Sequence, residues 1–191
     1  SWRLLLSTLM MLGALLVVSA SPLPWGLRLV TSLGAGLLIL RLFMFYHDYL
    51  HGAIFQDSPL ADSILWCYGV LILNPPNVWK RSHNYHHQNN AQMATAGIGS
   101  FPVMTVDHYR RADWKAKLHY RLARHPLTIL FGYVPIFIIG MCSKSFLTDP
   151  RRHWDSLFAL VVHFSIGFFL YRIGPDIFFL SFLFPIVFSC A

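Results

Sequence analysis

Seventeen consecutive residues near the N-terminus, 4–20, carry no charged side chain. At 1.5 Å per residue a helix of this length measures about 25 Å, close to the roughly 30 Å hydrocarbon core of a bilayer. Further apolar blocks follow, and only 12% of all residues are charged, about half of the share found in soluble domains. We therefore predict an all-α integral membrane protein. The composition excludes a soluble fold, a disordered chain and a disulfide-stabilised mini-protein.

A second predicted span, residues 27–46, follows a short turn that contains two prolines. This continuation favours a transmembrane hairpin over a cleaved signal peptide. Arg28 and Arg41 lie towards the ends of the second span. We expect their long side chains to reach the lipid headgroups.

The next part of the chain, residues 47–126, is hydrophilic and holds eight of the fifteen Lys and Arg residues. The positive-inside rule places it in the cytoplasm, as a helical cap on the hairpins. Its one apolar segment, residues 60–73, is too short to span and is expected to be re-entrant or interfacial. The net charge of +7 then fits the anionic cytoplasmic leaflet and calls for no nucleic-acid partner.

Three apolar segments close the chain, at residues 127–142, 156–171 and 177–191. A hairpin of the first two would leave Lys144, Arg151 and Arg152 outside the cell, whereas a hairpin of the last two would keep them inside. The positive-inside rule favours the second arrangement, but Pro175 and Pro185 weaken the last segment as a helix. Both arrangements stay open.

Five of the ten histidines form two short clusters. His47 and His51 are four residues apart where the second span leaves the membrane, so that on a helix they share one face. His83, His86 and His87 repeat the pattern at spacings of three and four. Each cluster is predicted to ligate one metal ion or two adjacent ions.

Other polar residues are assigned supporting roles. Asp48 is expected to orient a ligand by accepting its second ring N–H. His163 is predicted to be a hydrogen-bonded packing residue. The chain contains no Glu, which excludes a soluble di-iron carboxylate bundle. Surface or interfacial positions are predicted for His108, His119, His125 and His153.

The sequence HDYLHG at 47–52, followed by WKRSHNYHH at 79–87, resembles the histidine boxes of the membrane fatty acid desaturases. The segment YRLARHPL at 120–127 is similar to the one that follows the second box in the acyl-lipid branch. Leu50 stands where the first box of the family commonly has Gly. The resemblance covers the chain from about Leu27 onwards.

This resemblance implies a di-iron enzyme that uses O2 to introduce a double bond into acyl chains of membrane lipids. The five clustered histidines would bind the two iron ions on the cytoplasmic side of a multi-pass protein. No flavin, haem-attachment or dinucleotide motif is found, so we expect a separate electron donor, similar to cytochrome b5 or ferredoxin. Residues 1–191 are predicted to form a single desaturase-like domain. The family's third box, H-x-x-H-H, is not found; we therefore expect a sequence truncated at both ends and inactive alone.

Two other functions stay open at this point. A carotenoid ketolase or hydroxylase resembles the chain in the pattern HDxxHG and also uses histidine boxes. A haem-binding or transport membrane protein would instead place paired histidines near mid-bilayer on facing helices.

Overall fold

The computed structural model describes residues 1–89 and 103–190, whose regular structure is entirely helical. We number ten helices in chain order: α1 Trp2–Ala20, α2 Trp25–Leu50, α3 Pro59–Leu71, α4 Pro76–Gln88, α5 Val106–Arg111, α6 Trp114–Ala123, α7 Pro126–Leu130, α8 Tyr133–Thr148, α9 Trp154–Ile173 and α10 Pro175–Ser189. The predicted all-α class is confirmed.

Three of these helices, α1, α2 and α9, are long and apolar enough to cross a membrane. Much of their apolar surface is exposed, for example at Met10, Val17 and Phe168, as expected of helices that face lipid. Both predicted N-terminal spans thus fall on helices of sufficient length and apolar character. Helix α2 is longer than predicted, because its last turn continues through His47 to Leu50.

The prediction that Arg28 reaches the headgroups is wrong. Its side chain is buried, and it donates hydrogen bonds to the Ser19 carbonyl (2.8 Å) and to Oδ2 of Asp176 (2.6 Å). These contacts join the end of α1 and the beginning of α10 to the beginning of α2, because one of the two acceptors lies 148 residues away in the chain. Arg41 is exposed, and its contact with the headgroups stays a prediction.

Helix α3 has 13 residues and is too short to span, as predicted. Two hydrogen bonds join α2 to α3 and to the loop after α3, and so fix the chain that leads into α4. Tyr68 donates to the Ile39 carbonyl (2.7 Å), and Tyr46 donates to the Asn74 carbonyl (2.9 Å). Both tyrosines are buried. The end of α2 and the beginning of α4 are consequently held side by side.

Of the three C-terminal apolar segments, only the second forms a span-length helix, α9. Helix α8 is wound as a π-helix over Tyr133–Lys144, and α10 contains a π-helical stretch at Phe179–Leu183. Helix α10 packs on α2 at Gly36, where a Cβ would lie 2.7 Å from Cδ1 of Phe188 and 3.0 Å from the Pro185 carbonyl oxygen. The helix begins at Pro175 and continues past Pro185 to Ser189, so neither proline prevents it from packing.

The loop between α8 and α9 lies at the histidine end of the molecule, because His153 contacts both Ser145 and Arg81 of α4. Lys144, Arg151 and Arg152 flank these contacts and lie at the same end. These cations therefore lie on the side that the second arrangement requires, and the choice between the two arrangements stays a prediction.

His163 has the packing role predicted for it. It is buried in α9 and its Nδ1 lies 3.0 Å from the Leu71 carbonyl, which can only accept. The proton is therefore on Nδ1, and Nε2 accepts a hydrogen bond of 2.6 Å from the hydroxyl of Tyr133.

Candidate metal centre

The first histidine pair lies at the end of α2. His47 is in the last turn, and His51 is the C-cap residue, whose backbone N–H is 3.2 Å from the His47 carbonyl. The helical geometry therefore extends through His51, and the two rings lie side by side with centroids 4.6 Å apart. Their four-residue spacing places both on the face that looks towards α4.

Helix α4 carries the second cluster opposite the first. His83 and His87 are one turn apart, with ring centroids separated by 4.5 Å. The Nε2 atom of His83 lies 3.2 Å from Nε2 of His47, 3.0 Å from Nε2 of His51 and 3.0 Å from Nε2 of His87. The ligand atoms of all four residues lie within 4.8 Å of one another.

Hydrogen bonding alone does not explain this arrangement. An imidazole nitrogen carries one proton or one in-plane lone pair, so Nε2 of His83 can form one such bond and not three. Nitrogens bound about 2.1 Å from one metal ion at angles between 90° and 109° are about 3.0 to 3.4 Å apart. The observed separations from His83 match that range. The four histidines are therefore suited to hold a metal ion.

The site also favours the neutral imidazoles that metals require. Burial, reinforced by the four neighbouring imidazoles, lowers the pKa of His83 to about 4. Partial desolvation and the imidazoles of His47 and His87 also lower the pKa of His51, although Asp48 opposes them. Both rings are therefore neutral at physiological pH and offer a lone pair.

Asp48 makes the contact predicted for it: its Oδ1 lies 3.1 Å from Nδ1 of His47. A proton on Nδ1 is donated to this carboxylate and leaves the lone pair on Nε2, which faces His83. His86 is not part of the group of four. Its ring centroid is 6.4 Å from that of His83 and 5.9 Å from that of His87, and its role as a ligand stays a prediction.

Sequence reasoning missed Trp79, which packs against the cluster. It is 9% exposed, lies one turn before His83 on α4, and contacts the rings of Phe43, Tyr46 and His47. The four-residue spacing from Trp79 to His83 would have predicted that the two rings lie on the same face of a helix.

Among the other histidines, His108, His119 and His125 are exposed, as predicted. The surface position predicted for His153 is wrong. It is 8% exposed, because Ser145, eight residues earlier, and Arg81, 72 residues earlier, enclose it.

Comparison with known proteins identifies one informative relative. Over 123 residues the chain is 34% identical to a fatty acid desaturase of Bacillus subtilis (strain 168). Over this stretch the chain is similar to a fatty acid desaturase. The resemblance drawn from the histidine boxes is thereby confirmed at the level of the membrane desaturase family.

The matched stretch covers 64% of this chain and 34% of the Bacillus desaturase; the chain thus spans about a third of that relative's length. No protein-family model matches the chain. No solved structure matches it either.

Proposed function

We propose that this chain carries the iron-binding histidines of an O2-dependent membrane fatty acid desaturase, an oxidoreductase that introduces a double bond into an acyl chain. The observation that carries the proposal is the approach of three imidazole nitrogens to Nε2 of His83. The desaturase relative supplies the class of reaction.

The choice of metal rests on this kinship, because imidazole binds iron, zinc and copper alike. His47, His51, His83 and His87 supply four nitrogens for one ion. We assign His86 to the second ion of a pair, together with further ligands. Asp48 fixes the proton of His47 on Nδ1 and so keeps its Nε2 available to the metal.

Iron with O2, when bound, supplies the oxidising power needed to remove hydrogen from an unactivated methylene carbon. The residues of this chain position the ligands and keep them neutral. Trp79 fixes the plane of the His83 ring by stacking on it. Burial of His83 lowers its pKa to about 4, so a proton does not compete with the metal at neutral pH.

An apolar cavity of about 430 Å³ supports a lipid acyl chain as substrate. It lies among the apolar helices, and its lining includes Ile39, Ile72, Ile166 and Phe182. Ile39 precedes His47 by eight residues on α2, which is about 12 Å along the helix axis. A volume of this size falls in the usual range for small-molecule sites.

The position of the cluster also bears on the alternatives. His47 lies three residues before the end of α2, whereas a haem-binding or transport protein would need its histidines near the middle of the span. Cations at the same end, including Lys80 and Arg81, support a cytoplasmic location for the cluster. They also offer a docking surface to an acidic electron carrier similar to cytochrome b5 or ferredoxin.

The test is a His83→Ala substitution at the chromosomal locus of the source organism, with His119→Ala as the matched control because His119 is exposed. Membrane lipids are analysed for acyl double bonds, and iron is measured in the purified protein. We expect His83→Ala to lose one acyl double bond and its bound iron, and His119→Ala to keep both.

Other outcomes would favour other functions. A carotenoid that loses ring oxygen in the His83→Ala strain would support a ketolase or hydroxylase. A Soret band in the purified wild-type protein would support haem binding. Wild-type protein without metal, and lipids unchanged by His83→Ala, would refute the proposal.

A further inference from the structure

Helix α4, which carries the second histidine cluster, is capped by another helix. Its N-cap residue is Pro75, which has no side chain able to accept a hydrogen bond. The backbone N–H of Asn77 in the first turn instead donates to Oδ2 of Asp155 in α9, at 2.9 Å. By contrast, α3, α5 and α6 are capped by Ser58, Thr105 and Asp113 directly before them. Asp155 has no exposed surface, so its carboxylate is committed to the interior.

A second contact joins the same two parts of the chain one helical turn further on. Nδ1 of His153 lies 3.0 Å from the Ser145 carbonyl, which can only accept, so this nitrogen carries the proton. Nε2 of His153 is then an acceptor, and Arg81 donates to it from Nη1 at 2.9 Å. Since Arg81 follows Asn77 by four residues, both contacts lie on one face of α4.

The proposed ligands lie on another face of this helix. At 100° per residue, His83 is about 160° and His87 about 120° around the axis from Arg81. Two contacts one turn apart restrain both the rotation of α4 and its sliding along the axis. A functional site needs its groups within about 0.5 Å of the productive geometry, and rotation of α4 would move His83 and His87 away from His47 and His51.

We infer that Asp155 and His153 are positioning residues, which hold α4 so that its histidines meet those of α2 around the metal. The inference rests on the proposed function, because it assigns the two residues to the same centre. Neither residue belongs to the group of four imidazoles. They act through Asn77 and Arg81, and their loss is expected to weaken metal binding without removing a ligand.

The experiment measures Co²⁺ affinity of the purified protein by its visible absorption bands. Asp155→Leu and His153→Phe remove the acceptors, whereas Asp155→Asn and His153→Gln keep an acceptor oxygen in the same place. Loss of a group that hydrogen-bonds directly to a metal ligand lowers metal affinity about 10- to 100-fold. Asp155 and His153 act one step further from the ligands, so we expect a loss up to that size, with shifted Co²⁺ bands at saturation, for the first two variants and near wild-type behaviour for the second two.

Arg81→Leu keeps the test valid if a buried substitution prevents folding. Arg81 is exposed, so its replacement breaks the contact with His153 from the outer side of α4. We expect the same weakening as in His153→Phe and no further loss when the two changes are combined. An exposed control, Lys115→Leu, should bind Co²⁺ like the wild type.

The possible failures are distinct. Wild-type protein that binds neither iron nor Co²⁺ would refute the metal centre itself. Wild-type protein that binds Co²⁺, together with Arg81→Leu and Asp155→Leu variants of equal affinity and unchanged spectrum, would refute the positioning role alone.

Discussion

Trp79 stacks on His83, with ring centroids 4.0 Å apart and ring planes inclined by 22°. The same indole meets the His47 ring nearly edge-on, at 5.7 Å and 77°. One buried side chain thus contacts a histidine from each of the two helices that form the cluster. It restricts the rotation of both rings and leaves their Nε2 atoms facing each other at 3.2 Å.

Replacing Trp79 by Ala should therefore affect both stability and metal binding. Removal of a buried Trp costs about 3 to 5 kcal/mol, and the His83 ring loses the surface that fixes its plane. We expect a lower melting temperature and weaker Co²⁺ binding, with Trp79→Phe intermediate. Trp114→Ala serves as control, because Trp114 is 68% exposed. Equal Co²⁺ affinity in Trp79→Ala and wild type would contradict this role.

His86 and His87 are neighbours in sequence but should differ in their effect on metal content. Since His87 belongs to the group of four and His86 lies apart, His87→Ala should remove the ion held by that group. His86→Ala should retain this ion, lose the second one, and abolish double-bond formation. Iron per protein and Mössbauer spectra report the two cases. Two ions retained in His86→Ala would exclude it as a ligand.

Accessibility of a single cysteine tests the proposed cytoplasmic side. Ala112 lies between α5 and α6 among the cations of this region. With Cys67, Cys142 and Cys190 replaced, Ala112→Cys should resist an impermeant thiol reagent in intact cells and react after lysis. Labelling of intact cells would reverse the proposed orientation.

Helix α6 is expected to lie in the membrane interface. Trp114, Leu118 and Leu122 share one face at four-residue spacing and are all exposed, and the helix places Lys115 and Arg121 on either side of them. Such a face suits a headgroup boundary with anionic lipid.

Spin labels distinguish this placement from an aqueous one. In nanodiscs with anionic lipid, labels at residues 118 and 122 should be more accessible to O2 than to a polar nickel complex. A label at Ala116, on the opposite face, should show the reverse. Equal accessibility along α6 would contradict an interfacial position.

Sequence reasoning succeeded where the signal is local. The charge-free run near the N-terminus specified α1, and the spacing of His47 and His51 specified a shared helical face. It failed for contacts across the chain. The acceptor for Arg28 is Asp176, and the enclosure of His153 depends on Arg81, 72 residues earlier. The position of α4 opposite α2 likewise depends on the hydrogen bonds of the buried Tyr46 and Tyr68, which the periodicity of apolar residues does not reveal.

The burial of His153 changes how a histidine scan of this protein should be interpreted. A survey that replaces each histidine in turn and records lost metal would score His153 with the proposed ligands, although its ring bonds to Arg81 and the Ser145 carbonyl and lies outside the group of four imidazoles. Counting sensitive histidines would then overestimate the coordination number by one. Only a method that detects the metal–nitrogen bond itself, such as hyperfine coupling to imidazole labelled with ¹⁵N, gives the correct count.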